Sequence, residues 1–444
     1  MLNKKKMVLN TLCTLLVLVL TFSYVSPKAF ADSYDNEWME CYYITQCSMS
    51  AANSTVGAIS SSAPGYGAMN GWRIGNGAAD YTDPGASAIG VVGLLYGYNR
   101  LSTSGRSNDA LDSKAKTALS SYFWSFVRNG RNQINVNGNI AFPTAINYDA
   151  AGNITYFGNA SAAPTAEILI AMRKYCEMSP NGDRANYQSQ EYGLAHKMAQ
   201  YIDGSFGSWT VDRSYVVAAF HCFANWASAV GDNGTAAYYH GRANTISSWL
   251  ANAQDKGSWS NYYDYLDGSG NGVYNGGINQ TGFSPYEFNA RYPGEDFAKK
   301  VGDWWNHGKA YNNAYLSEQS GTYVGGVHQW TPVNGTNYQV YPGSSLQLAD
   351  ALWKIARATG NYNDFYREAW AHYSFAMSAL GSNSGSGCWV NTTSVDNVPG
   401  GFIDWVNTSN GSRPENWKRF SDTSGYAIIA TEELVFSNMV DWSY

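Results

Sequence analysis

The chain has 444 residues, enough for one large core or for two domains, and it carries a formal net charge of −6. Only 14% of its residues are charged, whereas a typical soluble protein has about 25%. The sequence contains no basic stripe, so its composition argues against nucleic acid as a partner.

The chain begins with the features of a secretory signal peptide. Residues 4–6 are lysines, residues 7–22 form an almost unbroken apolar run, and Ala29-Phe30-Ala31 is a small-x-small cleavage site. Because the apolar run is shorter than the roughly 20 residues that span a bilayer, we expect cleavage rather than a retained anchor. The sequence therefore predicts a signal peptide at 1–31, a single domain at 32–444, an extracellular location and no membrane span in the mature chain.

Helical patterns alternate with Gly/Asn/Ser-rich loops along the rest of the sequence. Helices are predicted at 37–46, 83–101, 108–128, 164–178, 187–202, 212–230, 235–253, 295–306, 344–359, 364–380 and 423–436. Short β-hairpins are predicted in the loops, at 145–148 with 154–157 and at 262–266 with 272–274.

The predicted helices are of two kinds. Residues 88–95, 166–172 and 215–226 are apolar on nearly every side, as expected of helices buried all round. Their partners, such as 108–128 and 187–202, are amphipathic. Buried inner helices that alternate with amphipathic outer ones predict an all-α fold, an (α/α)6 toroid of helical hairpins, with an open α-solenoid as the alternative.

The helix pairing, the aromatic content (16 Trp and 34 Tyr) and the loop chemistry resemble the six-hairpin glycosidase architecture. That (α/α)6 toroid occurs in many secreted polysaccharide hydrolases and in some polysaccharide lyases. The resemblance implies a secreted carbohydrate-active enzyme with a polysaccharide or oligosaccharide substrate. The composition agrees, because aromatic rings lie flat on sugars while Asn, Gln and Tyr bond their hydroxyls. No phosphate-binding loop or zinc-ligand spacing is present, so neither a cofactor nor a metal is predicted.

Hydrolysis of a glycosidic bond requires two carboxyl groups across the sugar. In a toroid these groups should come from loops or from the first turns of inner helices. Three catalytic carboxylates are predicted: Glu287, in an aromatic-rich segment, and Asp83 and Asp212, which each begin an apolar helix. The two aspartates also fit a helix-capping role. Glu167, near the start of its helix, is a weaker candidate.

Nine further residues, which lie in the segments around these acids and in the aromatic segment 325–344, are predicted to bind substrate. They are Asp80, Trp209, Tyr215, Arg291, Trp304, His328, Trp330, Tyr338 and Tyr341. Two alternatives to a hydrolase stay open. One is a polysaccharide lyase that cuts a uronic-acid polymer by β-elimination, with His328 as base and Tyr338 or Tyr341 as acid. The other is a non-catalytic glycan-binding surface protein.

Overall fold

The computed structural model describes residues 60–68, 72–73, 81–103, 115–149, 151–178, 184–254, 263–273, 279–288, 310–311, 314–315, 317–318, 321–328, 338–378, 388, 402–412, 419–438 and 440–442. The predicted signal peptide and the helices predicted at 37–46 and 295–306 lie outside these residues.

Eleven α-helices lie within the described residues. They are α1 (Pro84–Thr103), α2 (Trp124–Arg128), α3 (Ala162–Met178), α4 (Arg184–Gln190), α5 (Tyr192–Ser205), α6 (Thr210–Ala229), α7 (Asn233–Trp249), α8 (Asn279–Glu287), α9 (Pro342–Thr359), α10 (Tyr362–Met377) and α11 (Ser421–Leu434). π-Helical turns precede α2 at Ala118–Phe123 and follow α7 at Leu250–Gln254. The helix predicted at 187–202 is divided into α4 and α5 at Glu191.

Short antiparallel strands connect the helices. They are β1 (Trp72–Arg73), β2 (Tyr81–Thr82), β3 (Ile134–Val136), β4 (Asn139–Pro143), β5 (Ile146–Tyr148), β6 (Ile154–Phe157), β7 (Ala160–Ser161), β8 (Tyr265–Leu266), β9 (Gly272–Val273), β10 (Ala310–Tyr311), β11 (Ala314–Tyr315), β12 (Val327–His328), β13 (Gln339–Tyr341), β14 (Val406–Asn407) and β15 (Arg419–Phe420). The pairs β5–β6 and β8–β9 lie within the two predicted hairpins.

Several strands lead directly into helices. β2, β7, β13 and β15 end immediately before, or one residue before, the first residues of α1, α3, α9 and α11. β2 pairs with β5, β7 pairs with β4, and β15 pairs with β1. β13 lies between β12 and β14 and pairs with both. The antiparallel pairs therefore gather at the end of the molecule where these four helices begin, and they fix the direction in which each helix enters the core.

Six of the described helices form a closed ring. α1 contacts α3, which contacts α6, and the sequence of contacts continues through α8, α9 and α11 back to α1. α5, α7 and α10 pack on the outside of this ring, against the inner helices that precede them in the chain. This arrangement confirms the predicted (α/α)6 toroid.

The inner helices supply most of the described core. Residues 216–220 of α6 and 168–172 of α3 are almost completely buried, as their all-round apolar patterns predict. The largest fully buried side chains include Trp124, Trp226 and Trp442. Across the described ranges, we find no helix with the length and apolar character that a membrane crossing requires.

The ring contains one helix that the sequence does not predict. α8 begins with the polar residues Asn279 to Thr281 and carries Pro285 in its interior, where proline removes a hydrogen-bond donor. These residues hide the helical periodicity, although Phe283 and Tyr286 are buried at 0% and 2% exposure. Neighbouring inner helices therefore hold α8 in place by packing, against a weak local preference.

α1 and α11 approach each other closely through two glycines. A Cβ atom at Gly93 would lie 2.6 Å from the carbonyl oxygen of Gly425, and a Cβ at Gly425 would lie 2.6 Å from that of Ile89. Real Cβ atoms do not approach backbone atoms so closely, so any larger residue would force the two helices apart. The contact that closes the ring therefore depends on both glycines.

Gly425→Ala is expected to lower the free energy of unfolding by about 1–3 kcal/mol, because the added methyl group overpacks this contact. The matched control is Gly241→Ala in the exposed middle of α7, where a Cβ would meet nothing within 4 Å. That change should raise stability by up to about 1 kcal/mol, since alanine is the better helix former. Urea unfolding of both variants tests this, and equal effects would contradict it.

Candidate active site

A cavity of about 500 Å³ lies at the end of the ring where the inner helices begin. The first two turns of α1, α3, α6, α9 and α11 and the loop before β14 enclose it. The described residues that line it are Asp83, Ala86, Ile89, Glu167, Tyr215, Tyr341, Gly343, Ser344, Gln347, Asp404, Trp405, Asp422, Thr423 and Tyr426. Four of these are acids, and none is a lysine, arginine or histidine. Helix N-termini carry partial positive charge, which makes this end of the ring a favourable place for carboxylates.

Asp83 is both a helix cap and a cavity residue. Its Oδ1 accepts hydrogen bonds from the backbone amides of Gly85 at 2.9 Å and Ala86 at 3.0 Å. Burial raises the pKa of Asp83, and these two hydrogen bonds oppose the rise. Asp83 therefore caps α1, as the sequence predicts, and also lines the cavity.

Glu167 lies directly beside Asp83. A Cβ atom at Gly85 would overlap Oε2 of Glu167 and lie 3.4 Å from Oδ1 of Asp83, so the glycine leaves room for the two acids to meet. Burial raises the pKa of Glu167 well above its ordinary value, and the charges of Asp83, Asp422 and Asp212 raise it further. Such an environment keeps the carboxyl protonated at higher pH, as a proton donor requires.

Asp422 begins α11 as Asp83 begins α1. Its Oδ1 accepts a hydrogen bond from the backbone amide of Thr423 at 2.7 Å. Burial raises the pKa of Asp422 to about 7, with further contributions from the charges of Asp83 and Asp404. Sequence reasoning missed Asp422, although an acid at the start of an apolar helix is the same signal that singled out Asp83.

The predicted acid Asp212 lies near the cavity rather than in its lining. It occupies the first turn of α6, close enough for its charge to act on Glu167, and burial raises its pKa to about 6. The neighbouring Arg213 donates from Nε to the carbonyl oxygen of Gly207 at 3.1 Å and lies over the ring of Trp249.

Two tyrosines form part of the cavity floor. Tyr215 and Tyr426 are 8% and 3% exposed. The pKa of each phenol is raised well above its ordinary value by burial, and the charges of Glu167 and Glu287 raise it further. Both tyrosines therefore lie close to the cavity acid Glu167 and to the fully buried Glu287.

Glu287, the first predicted catalytic acid, is not among the residues that line the cavity. Its side chain is 0% exposed, and Lys354 Nζ donates to its main-chain oxygen at 2.9 Å. The same ammonium group lies 2.7 Å from Asp350 Oδ1 and 3.8 Å from Glu433 Oε1. Burial raises the pKa of Glu287 well above its ordinary value, and the charge of Asp350 adds to this. Glu287, Lys354, Asp350 and Glu433 therefore form one buried group of ionisable residues.

The other predicted substrate-binding residues lie in different places. Tyr341 lines the cavity and donates its hydroxyl to Gln339 Oε1 at 3.0 Å. Trp209 precedes α6 and is 37% exposed, while Tyr338 precedes β13 and is 46% exposed. Asp80, Arg291, Trp304 and Trp330 lie outside the described residues.

His328, the predicted lyase base, does not line the cavity. It lies on β12 and is 5% exposed. Its Nδ1 lies 3.0 Å from the carbonyl oxygen of Gln339, and its Nε2 lies 3.3 Å from Glu318 Oε1. Both ring nitrogens thus have partners within the surrounding strands. Within the described part of the chain, no three His, Cys, Asp or Glu side chains are grouped so that they could hold a metal ion.

The similarity of this chain to known proteins lies in its fold and not in its sequence. No family model and no curated protein matches the sequence. A D-mannose isomerase structure is similar, with a TM-score of 0.56 and 11% identity over 89% of this chain and 97% of that one. Cellobiose 2-epimerase from Spirochaeta thermophila has a TM-score of 0.56 and 10% identity, over 93% and 99% of the two chains.

A glucoamylase from Saccharomycopsis fibuligera is also similar, with a TM-score of 0.55 and 10% identity over 92% of this chain and 96% of that one. Identities this low relate the chains through their folds. The likeness nevertheless runs over almost the full length of each partner, and it agrees with the closed ring of inner helices. The chain therefore has the (α/α)6 toroid fold of the six-hairpin glycosidase-like proteins.

Proposed function

We propose that this protein is a carbohydrate-active enzyme, specifically a glycoside hydrolase that cuts a neutral polysaccharide. The observation that carries the proposal is the group of carboxyls in one cavity, with Glu167, Asp83 and Asp422 on three consecutive helices of the ring. Glycosidases, epimerases and an isomerase of sugars share this fold, and the predicted signal peptide agrees with an extracellular polymer as substrate.

In the proposed mechanism, Glu167 is the general acid. Its environment keeps it protonated, so it can donate to the glycosidic oxygen as the bond breaks. Asp422 is the general base that activates water, because a pKa near 7 lets it accept a proton readily at neutral pH. α3 and α11 both contact α1, and Glu167 and Asp422 both line the cavity in which we propose that the sugar binds.

Asp83 is proposed to position and tune the acid rather than to transfer a proton. Its carboxylate is fixed by two backbone amides, and its charge acts on both of the other acids. When ionised, it raises the pKa of Glu167 by charge repulsion. It also stabilises the positive charge that develops on the sugar ring in the transition state.

The lining chemistry favours hydrolysis of neutral sugars over elimination from a uronic acid. A uronate would bring its negative charge among Asp83, Glu167, Asp404 and Asp422, and the described lining offers no cation to neutralise it. His328, the base that a lyase would need, lies outside that lining. A non-catalytic glycan-binding role would not require acids with such perturbed environments.

The test is to incubate the purified protein with neutral and uronic-acid polysaccharides. New reducing ends, ultraviolet absorbance and sugar isomers, the last by NMR, are followed together. Reducing ends without absorbance would support the hydrolase. Isomer formation without new reducing ends would instead indicate an epimerase or isomerase, and absorbance would indicate a lyase. Either result, or the absence of all three signals, would overturn the proposal.

The proposed base predicts a specific pH dependence. Asp422 must be ionised to act, so kcat/KM should fall as the pH drops through about 7. Because the charge of Asp404 contributes to the raised pKa of Asp422, Asp404→Asn should move this acidic limb to lower pH. An unchanged limb in the variant would argue against Asp422 as the titrating group.

A further inference from the structure

Two tryptophans of the described chain are more exposed than the others. Trp209 is 37% exposed and Trp249 is 39% exposed, whereas Trp124, Trp226 and Trp442 are buried almost completely. Trp209 immediately precedes α6, and Trp249 is the last residue of α7. An exposed indole ring forgoes a large part of the hydrophobic stabilisation that its burial would provide.

The ring of Trp209 is supported from one side. Its centroid lies 4.7 Å from that of Tyr265 on β8, and the main chains of the two residues form an isolated β-bridge. Thr210 N donates to the carbonyl oxygen of Asp264 at 2.9 Å, and Arg213 N donates to that of Trp209 at 3.0 Å. The exposed ring is thus mounted on a backbone that several hydrogen bonds hold in place.

Trp209 lies at the cavity end of the ring. Asp212 and Tyr215 lie three residues apart in the first two turns of α6, a spacing that makes neighbours on a helix surface. Tyr215 lines the cavity, and the charge of Asp212 acts on Glu167 inside it. Trp209 immediately precedes α6, so it lies beyond Tyr215 at the cavity end of that helix.

We infer that Trp209, backed by Tyr265, forms a sugar-binding subsite outside the catalytic cavity, and that the substrate is therefore a glycan chain of several units. The inference rests on the proposed function for the identity of the reaction, but the subsite itself requires only binding. The ring face stacks on the apolar face of a pyranose. Because the ring is already held, the stacking costs little ordering entropy.

This subsite makes the rate depend on chain length. Trp209→Ala is expected to raise KM for a long oligosaccharide roughly tenfold, about 1.4 kcal/mol at the transition state, with kcat nearly unchanged. A disaccharide or aryl glycoside that fills only the cavity should be cut at the wild-type rate. Trp209→Phe, which keeps an aromatic face, should restore much of the lost affinity.

The control is Tyr362→Ala. Tyr362 is 47% exposed and begins α10, at the opposite end of the ring, so its removal should affect neither substrate. Equal losses on short and long substrates after Trp209→Ala would show a structural role and overturn the subsite. Unchanged kinetics on both substrates would overturn it too.

A binding assay separates failure of the subsite from failure of the proposed reaction. Affinity electrophoresis in gels that contain mannan, starch, xylan or mixed-linkage glucan compares the wild type, Trp209→Ala and Glu167→Gln. If the gel retards the wild type and Glu167→Gln but not Trp209→Ala, the result would support the subsite even if no hydrolysis is found. Retardation that is equal in all three proteins, or absent from all of them, would overturn it.

Discussion

Replacing Glu167 by Gln is expected to lower kcat by about 10²–10⁴-fold, the usual contribution of a general acid. Glutamine keeps the shape of the side chain but has no proton to donate. Because glutamine cannot ionise among the three acids whose charges raise the pKa of Glu167, the change should leave stability unchanged or increase it. Steady-state kinetics on the polysaccharide that the wild type hydrolyses, together with thermal unfolding, measure both effects.

Asp422→Asn should produce a comparable loss, whereas Asp83→Asn should be milder. Asparagine caps a helix about as well as aspartate, so Asp83→Asn isolates the loss of charge from the loss of the cap. With that charge removed, the pKa of Glu167 should fall, and the alkaline limb of the rate profile should move to lower pH. A purely structural role for Asp83 would leave the limb in place.

The matched control is Asp267→Asn in the loop between β8 and β9. Asp267 is exposed, and its Oδ1 accepts backbone hydrogen bonds from Ser269 and Asn271, a role that asparagine can keep. Its activity should equal that of the wild type. Full activity of Glu167→Gln would remove Glu167 from the mechanism, and loss of activity in the control would show that neutralising any carboxylate is harmful.

Lys354→Met is expected to destabilise the protein by about 3–5 kcal/mol, the usual effect of removing one partner from a buried ion pair. The Lys354 side chain is 12% exposed, and its ammonium group lies 2.7 Å from Oδ1 of Asp350, whose side chain is 0% exposed. Glu433 and Glu287 are buried beside it. Without the lysine, these carboxyls lose their nearest cation. Urea unfolding gives the change in free energy.

Two further variants control this result. Lys197→Met changes an exposed lysine on α5 and should alter stability by less than about 0.5 kcal/mol. Glu287→Gln in the Lys354→Met background removes one of the stranded charges and should recover part of the loss, which a double-mutant cycle measures. If Glu287→Gln recovers nothing, Glu287 is already neutral in the folded protein.

The sequence predicts the toroid but not every helix in it. α3 and α6 contain mostly apolar segments, at 166–172 and 215–226, and the burial of these segments follows from that pattern. α8 carries a glycine and a proline and shows no helical periodicity, so only contacts with its neighbours reveal it. The close contact of Gly93 with Gly425 joins residues more than 300 positions apart, and no local pattern indicates that distance.

The residues of the candidate site can likewise be predicted from the sequence only in part. Asp83 could be singled out because an acid before an apolar helix is a local signal, and Asp422 carries that signal too. Glu287 looks suitable in sequence because aromatic residues surround it, but in the fold it is completely buried and does not line the cavity. Which acids share a cavity depends on the order of helices around the ring, and a linear pattern does not contain that order.

The closure of the ring has a consequence for how the protein acquires activity. Asp83 stands at the start of the first inner helix and Asp422 at the start of the last, so the cavity is incomplete until α11 docks on α1. Contacts between such distant parts of a chain form slowly, because a long loop must close first. During refolding, we therefore expect helical circular dichroism to return before catalysis, with the return of enzymatic turnover marking the step in which α11 docks on α1.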